Sequence, residues 1–135
     1  MIAGAPFEDT GATNNGKVYI YTTADNGSSW TQQKAFGPNT TAATDNQFGI
    51  QTKVSKDIVA ISAKTGSTNT GFVEVWERYL KNDGTFDWAF QAKLEKNVGS
   101  SDASMFGMQT QLYHDTDGSA YMAVGAPEEV NNNTI

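Results

Sequence analysis

Phe48-Gly49-Ile50-Gln51-Thr52 is repeated as Phe106-Gly107-Met108-Gln109-Thr110, 58 residues further along, and Trp30 returns as Trp88 at the same separation. Three small-residue segments follow the same cycle. They are Ile2-Ala3-Gly4-Ala5, Ala60-Ile61-Ser62-Ala63 and Ala123-Val124-Gly125-Ala126, spaced by 58 and then 63 residues. Self-similarity at a period of this length marks a repeat architecture, in which one supersecondary unit buries its apolar face against the next copy.

Working outward from the repeat, each unit reads as strands. Lys17 to Thr22 alternates Val18 and Ile20 against Tyr19 and Tyr21, a period-2 run of β-branched and aromatic residues. Ala24-Asp25-Asn26-Gly27-Ser28 tolerates positive φ and turns the chain into a return strand over Ser29 to Ala35. The second copy repeats this as Phe72 to Tyr79, a turn at Lys81-Asn82-Asp83-Gly84, and Thr85 to Leu94. Ahead of each hairpin a further pair is expected, Phe48 to Val54 with Ile58 to Ala63, and Phe106 to Tyr113 with Ala120 to Ala126. Each unit is thus four antiparallel strands, a to d, and the chain reads b-c-d, a-b-c-d, a-b. The fold class is all-β, of the kind in which four-stranded sheets repeat radially as β-propeller blades. A partial blade spans residues 1–40, a full blade 45–97 and a partial blade 103–127, about two to two and a half blades and incomplete as a ring.

Composition narrows the function. With 135 residues, 38% of them hydrophobic, the chain can fill one modest core, and its 13 glycines favour tight turns between short strands. A net charge of −6 argues against nucleic acid, whose phosphates require clustered Lys and Arg. No run approaches the roughly 20 apolar residues that cross a bilayer, so membrane insertion is not expected. The chain has no cysteine, which removes thiolate chemistry, disulfides and Cys-ligated metals. Three sequons, at Asn26, Asn39 and Asn132, fall in polar turn-like segments suited to glycans.

FGIQTKV and FGMQTQL, the ends MIAGAP and MAVGAP, and the following GKVYIY and GFVEVW together resemble the FG-GAP repeat family, the blades of integrin α-subunit propellers and of many secreted or surface-displayed microbial proteins. The likeness covers nearly the whole chain. The second copy departs from it, with Ile61-Ser62-Ala63-Lys64 where Gly-Ala-Pro is expected. The resemblance implies an extracellular or surface location and a non-enzymatic recognition or structural role, with protein or glycan partners. Gly49 and Gly107 are read as points of close approach inside strands, and Phe48 and Phe106 as packing between sheets.

The resemblance also implies a calcium loop, Asp-x-Asp-x-Asp-Gly-x-x-Asp, between strands a and b. The matching segment, Tyr113 to Tyr121, keeps Asp115, Asp117 and Gly118 but has aromatic residues at both ends. Calcium takes about 6–8 oxygens, so Asp115 and Asp117 are candidate ligands of a degenerate loop that also reads as an Asp-Gly hairpin turn. No other cofactor is expected. Trp30 and Trp88 are candidate ligand-binding residues, because indoles stack on sugars and anchor interfaces, although repeated tryptophans also fill the space between adjacent sheets. Glu8 with Asp9, and Glu128 with Glu129, read as solvated loop acids. No catalytic residue is assigned. His114 is the only histidine, reads as an exposed turn residue, and has no serine elbow beside it.

A segment of this size does not close a ring. The expected partners are other propeller blades, from the same longer protein or from identical copies, with a small oligomeric lectin as the second reading of function and a propeller glycosidase or lyase as the third.

Overall fold

The structure, a computed structural model, describes residues 1–66, 70–96 and 104–128; the sequon at Asn132 and the acidic residue Glu129 lie outside them. Nine strands, with no helix among the described residues, form three antiparallel sheets taken in chain order. The first holds β1 (Ile2–Ala5), β2 (Lys17–Thr22) and β3 (Thr31–Phe36). The second holds β4 (Gln51–Ser55), β5 (Ile58–Ala63), β6 (Phe72–Leu80) and β7 (Phe86–Glu95). The third is β8 (Gln109–His114) with β9 (Ala120–Gly125). Every sheet is a meander of sequence neighbours, and the grouping of three, four and two strands is the one the repeat predicts.

Local chemistry sets the hairpins. Between β2 and β3, Asn26 and Gly27 take φ of 54° and 93°, which the two residue types tolerate. Asp25 closes that turn by accepting the Ser29 hydroxyl (2.6 Å), the Thr23 hydroxyl (2.7 Å) and the Ser29 N–H (2.9 Å). Those bonds favour the carboxylate and hold Asp25 down at about 2. The hairpins share a defect as well. Gln33 has no cross-strand partner between Gln32 and Lys34, and Gln91 has none between Phe90 and Ala92, so a β-bulge recurs at the repeat's own separation.

The repeated Phe-Gly phrase corrects one expectation. Phe48-Gly49 and Phe106-Gly107 do not lie inside strands; each forms a turn just before one. Ile50 N–H donates to Gln47 C=O and Met108 N–H to Met105 C=O, both at 3.1 Å. Gly49 has φ of 93° and Gly107 of 91°, the backbone a type II turn requires at its third position. Each turn is bonded through its Phe N–H to a loop of the preceding sheet and through its Gly N–H to its own sheet. Phe48 N–H donates to Asn15 C=O (3.0 Å) and Phe106 N–H to Thr70 C=O (2.9 Å), while Gly49 N–H and Gly107 N–H reach Ser62 and Gly125 carbonyls at 2.9 Å. A Cβ on Gly49 would lie 2.9 Å from the Lys17 carbonyl, 3.0 Å from Val18 and 3.1 Å from Gly4. On Gly107 it would meet Val73 at 2.9 Å, the Phe72 carbonyl at 3.1 Å and Ser62 at 3.2 Å. The same lock therefore fastens the second sheet to the first and the third to the second. β4 accordingly packs on β1, and β8 on β4 and β5.

The core is shared by the first and second sheets: Val18, Ile20, Phe48, Val59, Ile61, Phe72, Trp76 and Trp88 are buried, with Ile2, Phe36 and Phe90 at its margin. Phe36 and Trp76 ring centroids are 4.4 Å apart, and Phe90 meets Trp76 edge-on at 5.6 Å. The third sheet is joined by more polar contacts. Ser62 and Thr110 hydroxyls lie 3.1 Å apart and buried, so the serine that replaces the expected glycine is accommodated by a hydrogen bond.

Candidate functional site

A cleft of about 140 Å³ opens between the first and second sheets, and Trp88 forms part of its wall. Ile2, Ile20 and Val59 supply apolar surface, Gln33 reaches in from β3, and Lys56 and Arg78 stand on the second-sheet side. The bulge explains Gln33, because an unpaired strand residue is re-aimed relative to its neighbours. Its Oε1 accepts the Trp88 indole N–H at 3.4 Å. Arg78 is committed to Asp57, with Nε at 2.6 Å and Nη2 at 2.5 Å from Oδ1, and its guanidinium lies 4.4 Å over the Phe86 ring. Lys56 Nζ reaches the Asp115 carbonyl at 3.5 Å. The cleft offers an amide, an indole and an ammonium above an apolar floor.

The two candidate tryptophans part company here. Trp88 is 7% exposed and sits against the first sheet, whereas Trp30, at the matching place in the repeat, is 45% exposed. Trp88 has a preceding sheet to cover it; Trp30 belongs to the first sheet described and has none. Trp76 is a core residue, and Tyr19 stacks on Tyr21 at 6.5 Å.

Asp115 and Asp117 lie in the β8–β9 turn. Asp115 Oδ1 accepts the Thr116 N–H (2.6 Å) and Asp117 Oδ1 the Ser119 N–H (2.8 Å), with Gly118 at φ of 92°. The bonds from Ser119 hold Asp117 below the usual carboxylate range. Among the described residues no three His, Cys, Asp or Glu side chains gather as a metal set. Two turn carboxylates already capping N–H groups do not fit an ion that requires about 6–8 oxygens. His114 ends β8 instead of standing in the turn, and its Nδ1 lies 2.9 Å from Ser55 Oγ across the sheets. Glu8 is more than a solvated acid: it accepts from Tyr19 (2.5 Å) and Lys17 (3.0 Å), which lower its pKa, and so anchors the long loop after β1.

One buried acid escaped the sequence reading. Glu74 is fully buried in β6 and accepts the Asn39 N–H on both oxygens (2.9 and 3.1 Å) and the Trp76 indole N–H at 3.0 Å. A carboxylate in Phe72-Val73-Glu74-Val75-Trp76, on the face of Phe72 and Trp76, was the available signal. Desolvation raises its pKa, opposed by the Asn39 and Trp76 bonds. Because the folded state then holds the proton more tightly than the unfolded chain, its contribution is complete below about pH 4.5 and is lost as pH rises through the raised value. Glu74→Gln should cost about 1–3 kcal/mol near pH 4 by weakening the clamp on Asn39. Denaturant titrations from pH 4 to 8 should show that deficit shrink; a deficit that grows with pH contradicts the sign.

Comparison of the chain with protein-family models gives no match, and comparison with curated proteins gives none either.

Proposed function

We propose that the chain is a non-catalytic recognition and structural module made of consecutive FG-GAP-type propeller blades, extracellular or displayed on a cell or particle surface, that engages protein or glycan partners. The observation that carries this is the twice-used Phe-Gly lock, because one stacking rule applied to successive sheets is what a radial array of sheets requires. The surface location is supported by the resemblance and by exposed sequons at Asn26 and Asn39.

Recognition is assigned to the loop of residues 6–16, longer than its counterpart at 64–71 and held rigid by Glu8, since loops on a fixed scaffold carry binding. Cutting that loop to the length of 64–71 should abolish capture on a combined glycan and extracellular-protein array while the β-sheet circular dichroism is kept. Unchanged capture, or none by the parent chain, refutes the assignment. The lectin reading is favoured by one observation, the Trp88 cleft with Gln33 at its wall. It predicts that Gln33→Ala removes sugar binding without changing the fold.

A further inference from the structure

We infer that Asn26 is a self-modification site: its side-chain amide is displaced by the Gly27 backbone nitrogen through a succinimide, at a pace set by the Thr23 hydroxyl. The inference goes beyond the blade reading and stands without it.

The sequence holds two Asn-Gly pairs, Asn15-Gly16 and Asn26-Gly27. Glycine matters in both, because with no Cβ its nitrogen approaches the Cγ of the preceding asparagine at little steric cost. The structure treats the pairs oppositely. Asn15 is 2% exposed. Its Nδ2 donates to the Thr10 carbonyl (2.7 Å), and its Oδ1 accepts from Asn46 Nδ2 (3.0 Å) and the Ala43 N–H (3.2 Å). Gly16 N–H donates to the Glu8 carbonyl at 2.9 Å. Closing a ring there breaks those bonds inside a packed segment. Asn26 stands exposed in the β2–β3 turn, and among the described residues no hydrogen bond holds its side-chain amide.

The step balances on the chain's own atoms and water. Gly27 N attacks Asn26 Cγ, the Cγ–Nδ2 bond breaks, and the Gly27 amide proton leaves with that nitrogen as ammonia. Water then opens the imide at either carbonyl, giving aspartate or its isomer, whose backbone runs through the former side chain. Nothing is oxidised or reduced. To attack, the nitrogen must give up its proton, and here Gly27 N–H donates to Thr23 Oγ1 (2.9 Å), which donates to Asp25 Oδ1 (2.7 Å). Asp25 is placed to draw the proton through the hydroxyl, yet a carboxyl held at about 2 is too weak a base to do so. The bond therefore stabilises the resting amide, and Thr23 slows closure.

The change has consequences on both levels. The isomer inserts a backbone atom into a turn closed by Ser28 N–H on the Asp25 carbonyl (3.3 Å), with central φ of 54° and 93°. Either product adds a negative charge and erases the Asn26-Gly27-Ser28 sequon, whereas at Asn39 the branched side chain of Thr40 crowds the attacking nitrogen. The glycan acceptor at Asn26 thus has a limited lifetime, and the one at Asn39 outlasts it.

Tryptic peptides Met1–Lys17 and Val18–Lys34 separate the two pairs, so mass spectrometry after incubation in mildly alkaline buffer reads each site. In the folded chain Asn26 should convert at least about tenfold faster than Asn15, since releasing one or two hydrogen bonds costs that factor. In urea the two rates should converge. Thr23→Val should raise the ratio of the Asn26 rate to the Asn15 rate by about 2–10-fold, and Thr23→Ser, which keeps the hydroxyl, should leave it near the parent value. The ratio guards against misfolding, because global loosening speeds Asn15 and lowers it. Equal rates in the folded chain overturn the site. A ratio that does not rise in Thr23→Val, or rises as much in Thr23→Ser, overturns the role of the hydroxyl.

Discussion

Trp88→Ala should remove about 3–5 kcal/mol of stability, the range for deleting a buried indole, while Trp30→Ala should change it by no more than about 0.5 kcal/mol. The two residues are equivalent in the repeat, so the contrast isolates what a covering sheet contributes. Trp88 is 7% exposed and is buried with Ile20, Val59 and Trp76, whereas Trp30 is 45% exposed and rests near Gly27, 3.7 Å from that glycine's Cβ direction. Urea denaturation of both variants, with m-values compared, provides the measurement. Equal losses would mean that the first sheet's outer face is covered in solution by something that also packs on Trp30. The result bears on function as well, because loss of sugar binding in Trp88→Ala is interpretable only where folding survives, and Gln33→Ala is the safer probe of the cleft.

The second large effect is expected at the lock. Gly49→Ala should cost about 2–5 kcal/mol, combining about 1–2 for a left-handed backbone and about 1–3 for overpacking. The steric part follows from a Cβ 2.9 Å from the Lys17 carbonyl oxygen, which belongs to a strand and cannot swing aside. Gly84→Ala is the matched control. Gly84 has φ of 80° in the β6–β7 turn, and nothing lies within 4 Å of its Cβ direction, so only the backbone cost applies there. If the two variants melt together, the Phe-Gly turn is no lock and the stacking rule inferred from it fails. Gly107→Ala should follow Gly49→Ala, since Val73, the Phe72 carbonyl and Ser62 occupy the places of Val18, the Lys17 carbonyl and Gly4.

Strand positions were legible because a half-buried strand leaves a period-2 trace. Lys17–Thr22 and Ile58–Ala63 fall where alternation and flanking turn residues put them. The Phe-Gly phrase marks the repeat but reads as strand, since Phe48, Ile50 and Val54 alternate with polar or glycine residues and nothing in that pattern reports φ. Only the backbone shows Gly49 at 93°. The cleft was less legible still. Gln33 enters it through a bulge, and which residue of a strand goes unpaired is settled by register with β2.

The amino-acid sequence by itself determined that this chain is all-β, that its strands come in hairpins of one repeating unit, and that three, four and two of them belong together. Those are properties of local periodicity and turn chemistry, which act over a few residues. Tertiary structure alone decided that Trp88 is covered and Trp30 is not, that Glu74 is buried against Asn39, and that Gly4 must be glycine while Gly125 in its own sheet need not be. Each of these depends on which sheet lies against which, and burial and close approach are set by neighbours distant in the chain.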